Sequence, residues 1–169
     1  MRDIISVGEV LIDLTQTGTT DQGIPAFAAN PGGAPANVAV AAARLGAETA
    51  FFGKVGRDSF GAYLRRVLEE NGVDCSGLRT GSQPTTLAVV SVDSRGERDF
   101  QFIRGADCTL SPEEVDEEAL GRTKFLHFGS VSLTAGLERN ATIFAARHAH
   151  RAGVLVSYDP NYRAPLWKN

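Results

Sequence analysis

The sequence is short of the residues that mark metal-bound or disulfide-bonded proteins, with two cysteines and three histidines in 169 residues. Cys75 and Cys108 stand far apart, no Cys-x-x-Cys occurs and the histidines do not cluster, so neither a zinc site nor a disulfide framework is indicated. Both thiols are expected to be reduced, since buried free cysteine behaves as a small hydrophobe. No apolar run reaches the length of a membrane span. Met1-Arg2-Asp3 leads straight into Ile4-Ile5-Ser6-Val7 without the charged start, long apolar stretch and small-residue cleavage site of a secretory signal, so the cytoplasm is the expected location. A net charge of -3 gives no general pull toward nucleic acid or an anionic membrane surface, and a small molecule is the expected partner. Repeats, low-complexity tracts and long linkers are absent as well.

What remains is ordinary globular composition, 43% hydrophobic and 22% charged, enough for one core with an appendage. Asp3 to Val7 reads as a buried strand, extended after Gly8 by Val10 to Leu14. Ala34 to Leu45 is alanine-rich and helical, with Gly46 where a left-handed cap is expected, and Glu48 to Phe52 is the next strand. Asp58 caps a helix carrying Tyr63, Leu64, Val67 and Leu68, which Asn71-Gly72 ends. The alternation then breaks. Thr85 to Asp93 and Glu97 to Arg104 flank Asp93-Ser94-Arg95-Gly96 as an antiparallel hairpin, which implies a second layer, and the turn-rich stretch from Thr15 to Asn30 has room for short strands in it. Ser111-Pro112-Glu113-Glu114 resembles a helix start with a capping box. Strands at Lys124 to Phe128 and Val154 to Tyr158, around a helix from Leu137 to Arg151, restore the βα alternation. The expected fold is therefore α/β: a doubly wound, mostly parallel sheet with helices on both faces and a small added β layer.

Four places carry candidate chemistry: Asp13, the run Asn30 to Asn37, the strand with Phe102 and Arg104, and Asp159-Pro160-Asn161-Tyr162-Arg163. Three of them lie at strand ends or helix starts, and ligands of parallel α/β sheets bind outside the carboxyl ends of strands. Two readings are open for each. Gly32-Gly33 lets backbone N–H groups approach a polyol or a phosphate, with Asn37 one turn on, or it is a plain turn before a helix. Asp13 accepts hydrogen bonds from neighbouring hydroxyls or caps a turn. Phe100, Phe102 and Arg104 share one strand face, which is either ligand-facing or an edge arginine covering aromatic surface. No Gly-Lys-Ser/Thr follows the glycine pair and Gly8-Glu9-Val10 is not Gly-x-Gly-x-x-Gly, which argues against P-loop and dinucleotide-binding readings. His127 reads as a packed or solvent-pointing histidine, and His148 and His150 as part of a polar helix end. Of the acidic residues that suggest a metal site, Asp107 and Asp116 to Glu118, the 113 to 118 group reads as a solvated helix face, and no metal ligand is assigned.

Three ordered motifs then carry a resemblance: Gly8-Glu9-Val10-Leu11-Ile12-Asp13, Gly32-Gly33-Ala34-Pro35-Ala36-Asn37-Val38-Ala39, and Gly53-Lys54-Val55-Gly56-Arg57-Asp58-Ser59-Phe60-Gly61. Together they resemble ribokinase (PfkB) family carbohydrate kinases, and Tyr158 to Trp167 is similar to a segment typical of the fructokinases among them. The resemblance covers essentially the whole chain and only the family's N-terminal half. It implies a partial ribokinase-like core over 1–14, 29–84 and 105–169 and a β lid over 15–28 and 85–104. It also implies an ATP- and magnesium-dependent kinase, converting fructose to fructose 6-phosphate, with 2-keto-3-deoxygluconate or a nucleoside as alternative substrate and a non-catalytic sugar-binding or assembly module as alternative role. Asp13, Gly32, Gly33 and Asn37 would hold sugar hydroxyls, Phe102 would cover the sugar, Arg104 would reach over it, and Asn161 and Arg163 would lie near the sugar and the transferred phosphoryl group. The family's Gly-Ala-Gly-Asp motif, which supplies the general base, and its nucleotide-binding region have no match. Loss of a general base typically costs about 10²–10⁴ in rate, so the chain alone is expected to be truncated and inactive. Its uncovered sheet edge predicts a homodimer through the lid or association with a C-terminal half.

Overall fold

A strand covered on both faces needs apolar residues at successive positions, because neighbouring side chains point to opposite sides. Ile4 to Val7 and Ala50 to Phe52 come near this condition, and they form the centre of the main sheet. The computed structural model describes residues 1–92, 98–134 and 136–167. Among these, β1 (Arg2–Val7), β4 (Thr49–Gly56), β5 (Leu78–Gly81), β8 (Thr123–Gly129) and β9 (Leu155–Asp159) form a parallel sheet in the order β5-β4-β1-β8-β9.

Two apolar clusters lie on its two faces. Ile5, Val7, Phe52 and Leu126 pack against Ala141, Ala145 and Ala149 of α4 (Gly136–Arg151), with Leu120 of α3 (Glu117–Gly121) in the same cluster. Phe51 and Val55 pack against Ala36 and Ala39 of α1 (Ala34–Arg44) and Leu64 and Leu68 of α2 (Ser59–Glu70). Helices therefore cover both faces, the doubly wound arrangement expected. Both early helices end as the sequence predicts: Gly46 and Gly72 take φ of 93° and 80°, and the following Ala47 and Val73 N–H groups reach back to the Ala42 and Leu68 carbonyls.

The second layer is a four-stranded sheet in the order β3-β2-β6-β7, made of β2 (Leu11–Thr19), β3 (Pro25–Gly32), β6 (Leu87–Val92) and β7 (Arg98–Ile103). The β6/β7 pair is the expected antiparallel hairpin, while its expected turn at Asp93 to Gly96 lies outside the described residues. Three expectations change. Val10 to Leu14 does not extend β1, because the chain leaves the main sheet at Gly8 (φ 144°) and Leu11 opens β2. Strands β2 and β3 are not short. They span nine and eight residues, and their ladder takes in 11–14 and 29–32, which the expected division assigned to the main core. The expected capping box at Ser111 forms, with the Glu114 carboxylate accepting the Ser111 N–H at 2.9 Å, but it opens only a single 3₁₀ turn, Pro112–Glu114, and the same carboxylate pairs with Lys54 at 2.8 Å. The helix proper starts after Asp116, whose side chain accepts the Ala119 N–H at 3.0 Å. No helix among the described residues is long and apolar enough to cross a membrane.

Asp58 joins the two layers. One carboxylate oxygen accepts the Gly61 N–H at 2.8 Å and the Thr85 hydroxyl at 2.7 Å, and the other accepts the Thr85 N–H at 2.8 Å just before β6. Burial works to raise its pKa, but the donors from Thr85 and Gly61 outweigh it and hold the carboxyl below its usual range. Its stabilisation is therefore present above the unfolded value of 3.8 and is lost as pH falls through the lower folded value. Asp58→Ala removes a cap and leaves the Thr85 N–H unpaired, so urea unfolding should show a loss of about 1–3 kcal/mol near neutral pH that shrinks on acidification.

Candidate functional site

Strand register brings the first group of side chains together. Asn30 on β3, Asp13 on β2, Ala88 on β6 and Phe102 on β7 are successive Cα partners across the four-stranded sheet, so they form one row. Residues directly opposite across a ladder present their side chains on the same face. Ala88, between Asp13 and Phe102 in this row, is small and buried. The main sheet supplies the second group from beyond the carboxyl ends of its strands: Glu9 after β1, Val131 after β8, and Asn161 and Arg163 after β9. Asp13, Asn37, Phe102, Asn161 and Arg163 line one cavity of about 160 Å³ with Glu9, Leu11, Gly33, Ala34 and Val131.

Local sequence accounts for much of this shape. A Cβ at Gly32 would push the Asp13 carboxylate aside, and one at Gly33 (φ 108°) would run into the Glu9 carbonyl oxygen, so the backbone requires glycine at 33 and the Asp13 position favours it at 32. The pair lets α1 begin close behind Asp13, with Asn37 in its first turn. Gly32 itself lies beside the cavity and lines instead an apolar cleft between α1 and α2. Asn161 has φ 29°, a conformation asparagine tolerates, and its N–H is accepted by the Asp159 side chain at 3.0 Å. The Arg163 guanidinium donates to the Asn161 carbonyl at 3.2 Å and so is held at the cavity.

Asp13 is half-buried, and burial raises its carboxyl above the usual aspartate range while the nearby Arg163 guanidinium pulls it back down. The result is a carboxylate with little hydration facing an arginine across a small space. Such a pair suits hydroxyl groups, which donate to the carboxylate and accept from the guanidinium.

Arg104 is the correction. It stands just past β7 and is not among the residues that line the cavity. Its guanidinium pairs with Asp107 at 2.9 Å and Glu138 at 2.6 Å and donates to the Thr134 hydroxyl at 3.2 Å and the Val131 carbonyl at 3.4 Å. A guanidinium with only 14% of its side chain exposed needs paired carboxylates, and both of these are buried. Asp107, read as a metal candidate, belongs to this cluster. It brings a ligand atom within 4.8 Å of those of Cys108 and Glu138, but the cation the cluster holds is Arg104.

Sequence reasoning assigned no role to Glu9, Val131 or Glu138. The signal for Glu9 was available: a carboxylate set between the apolar runs Ile4–Val7 and Val10–Ile12 is either buried or at a chain reversal. Its Oε1 accepts the Ala34 N–H at 3.2 Å, and burial pushes its carboxyl up to about 7. His127 is buried in β8 with Nδ1 3.1 Å from the Ser157 hydroxyl, away from the cavity. Burial, with Asp107 adding to it, pushes the Cys108 thiol up to about 12, which removes it as a nucleophile.

A carbon-detected titration of the Asp13 carboxyl should give a midpoint above the ordinary 3.8, and Arg163→Gln should move it further up. A midpoint that does not respond to Arg163→Gln would separate the two side chains.

The pfkB family carbohydrate kinase profile matches residues 1–169. The chain is 46% identical over 170 aligned positions to probable fructokinase-6, chloroplastic, of Arabidopsis thaliana, covering 97% of this chain and 44% of that one. It superposes on the crystal structure of fructokinase from Xylella fastidiosa with a TM-score of 0.93 at 38% identity, over 100% of this chain and 54% of the other. A second crystal structure of the Xylella enzyme, with bound ATP, gives 0.91 at the same identity over 100% of this chain and 55% of the other. The chain thus spans about half the length of the relatives it matches. The full-length family match, on a doubly wound sheet with a second small sheet above the ends of its strands, establishes that the chain belongs to the pfkB family of carbohydrate kinases.

Proposed function

We propose that this chain is the sugar-binding half of an ATP-dependent kinase whose substrate is fructose, phosphorylated to fructose 6-phosphate. The observation that carries the reading is the convergence of Asp13, Asn37, Phe102, Asn161 and Arg163 on one cavity between two sheets. Asp13 and Asn37 supply acceptors and donors for neighbouring hydroxyls, and the Phe102 ring offers an apolar face to the sugar ring's C–H groups. The fructokinase names of the relatives support fructose over other sugars.

The described residues do not fit the phosphates of ATP. The helix N-terminus at the cavity is that of α1, and its Ala34 N–H is already taken by the Glu9 carboxylate, which repels a phosphate from the same place. No Gly-Ala-Gly-Asp occurs in the sequence to serve as general base. The contribution of these residues is binding, orientation and exclusion of water, on which phosphoryl transfer depends. ATP, with its magnesium ion, belongs to residues outside this set.

Calorimetric titration with fructose tests the reading. Binding that Asp13→Ala weakens at least tenfold, with no phosphorylation when ATP and magnesium are added, is expected; equal binding by the variant would remove Asp13 from the site, and turnover would overturn the division of labour.

We also infer that the β9 side of the main sheet is covered in the working protein. β9 is the edge strand, and Leu155, Val156 and Tyr158 are exposed along it, with Phe125 beside them on β8. Sedimentation of the 169-residue chain should show concentration-dependent association, which Leu155→Lys on this edge reduces. A monomer at every concentration would contradict the inference.

A further inference from the structure

The chain passes between the two sheets four times: at residues 8–10 between β1 and β2, at Gly33 between β3 and α1, at residues 82–86 between β5 and β6, and at Arg104-Gly105 after β7. All four crossings are tied together. Glu9 takes the Ala34 N–H, joining the first to the second. Ile12 N–H, in β2 just after the first crossing, donates to the Thr86 carbonyl at 3.1 Å in the third. The Thr86 hydroxyl accepts the Gly105 N–H at 2.7 Å and donates to Asp107, joining the third to the fourth. Arg104 then links the fourth crossing to Asp107 and, on α4, to Glu138.

This junction has an unusual charge content. Glu9, Asp107 and Glu138 are each no more than 2% exposed, and the single cation they face among the described residues is Arg104. Cys108 is the other titratable group against them among the described residues, and its thiol is uncharged. One oxygen of Glu9 (Oε2) and one of Glu138 (Oε1) are buried with no hydrogen-bond partner. A buried carboxylate oxygen without a donor is costly, and three carboxylates against one guanidinium leave an uncompensated negative excess; a neutral carboxyl relieves both.

We propose that Glu9 and Glu138 are positioning residues for the small sheet: Glu138 and Asp107 anchor Arg104 where the four crossings meet, Glu9 ties the first crossing to the second beside it, and proton uptake by this cluster tightens the sheet's attachment to the core. The small sheet carries Asp13 and Phe102, so the anchor sets where these two side chains stand over the cavity. The proposal does not depend on which sugar binds.

The direction of the effect follows from burial. Burial is the main force raising both carboxyls above their free value of 4.5, to about 7 for Glu9, with Arg104 opposing it in each case. A raised carboxyl contributes stability that is fully present below 4.5 and is lost as pH rises through about 7. Attachment therefore weakens between these values.

Amide hydrogen exchange, corrected for intrinsic rates, reads this directly. Opening at Ile12, Gly105 and Ala106 should rise on the order of 10²-fold between pH 5 and pH 8, the factor expected for a carboxyl moved from 4.5 to about 7. The Asn71 and Gly72 amides at the end of α2, which fray without exposing the cluster, should not follow. Glu9→Gln keeps the acceptor for Ala34 and removes the charge, and should cut the rise at least tenfold; Glu138→Gln should do the same. If Glu138→Gln does not fold, Glu9→Gln decides, together with a carboxyl-carbon titration of both side chains in the unmodified protein. A flat profile in the unmodified protein, the full rise retained in Glu9→Gln, or carboxyl midpoints near 4.5 would each overturn the proposal.

Discussion

The guanidinium of Arg104 sits where two sheets of different character meet, and the chain's path between them is arranged around it. Alone at this depth it would be strongly destabilising; Asp107 and Glu138 make its burial tolerable and bind the end of β7 to α4 as they do so. The charges are not matched, since Glu9, Asp107 and Glu138 outnumber the guanidinium. A hydrophobic junction would hold the two layers at least as firmly. What the polar one adds is direction: each hydrogen bond constrains a particular crossing, and the small sheet is fixed in orientation as well as position.

That orientation decides the cavity. Asp13 and Phe102 belong to one sheet, Asn161 and Arg163 follow the last strand of the other, and Asn37 stands on a helix that starts where the two are closest. None of these elements contains a site by itself. The electrostatics follow the same division, with the Asp13 carboxyl raised by burial beneath its own sheet and lowered by an arginine from the other.

Local rules were legible where they act over a few residues. Gly46 and Gly72 end their helices in the left-handed conformation, Asp58 caps α2, and the change from helical to alternating patterning after residue 84 marks the hairpin. The parallel sheet with helices on both faces follows from the order of elements. The failures have a common cause. Val10 to Leu14 has the pattern of a buried strand whichever sheet it joins, so nothing local could assign it to β2. Ser111 to Glu114 forms its capping box, but the turn it opens ends at Glu114, whose carboxylate also pairs with Lys54 sixty residues away in sequence, and the α-helix starts after Asp116.

Among the candidate site residues, those whose side chains depend on backbone shape were easiest to locate. The glycines before α1 and the row containing Asp13 and Phe102 follow from ladder register and from the space a Cβ would need. β7 ends at Ile103, so alternation along the strand does not give the direction of the Arg104 side chain, which turns to Asp107 and Glu138. The sequence by itself determined the alternating α/β order, the caps and turns, the absence of metal and dinucleotide motifs, and the family motifs, since each is a matter of spacing within a short window. Tertiary structure alone decided which charges share the interior, because burial of Glu9, Glu138 and Arg104 depends on segments more than thirty residues apart closing over the same point, where a carboxylate's charge is set by its neighbours in space.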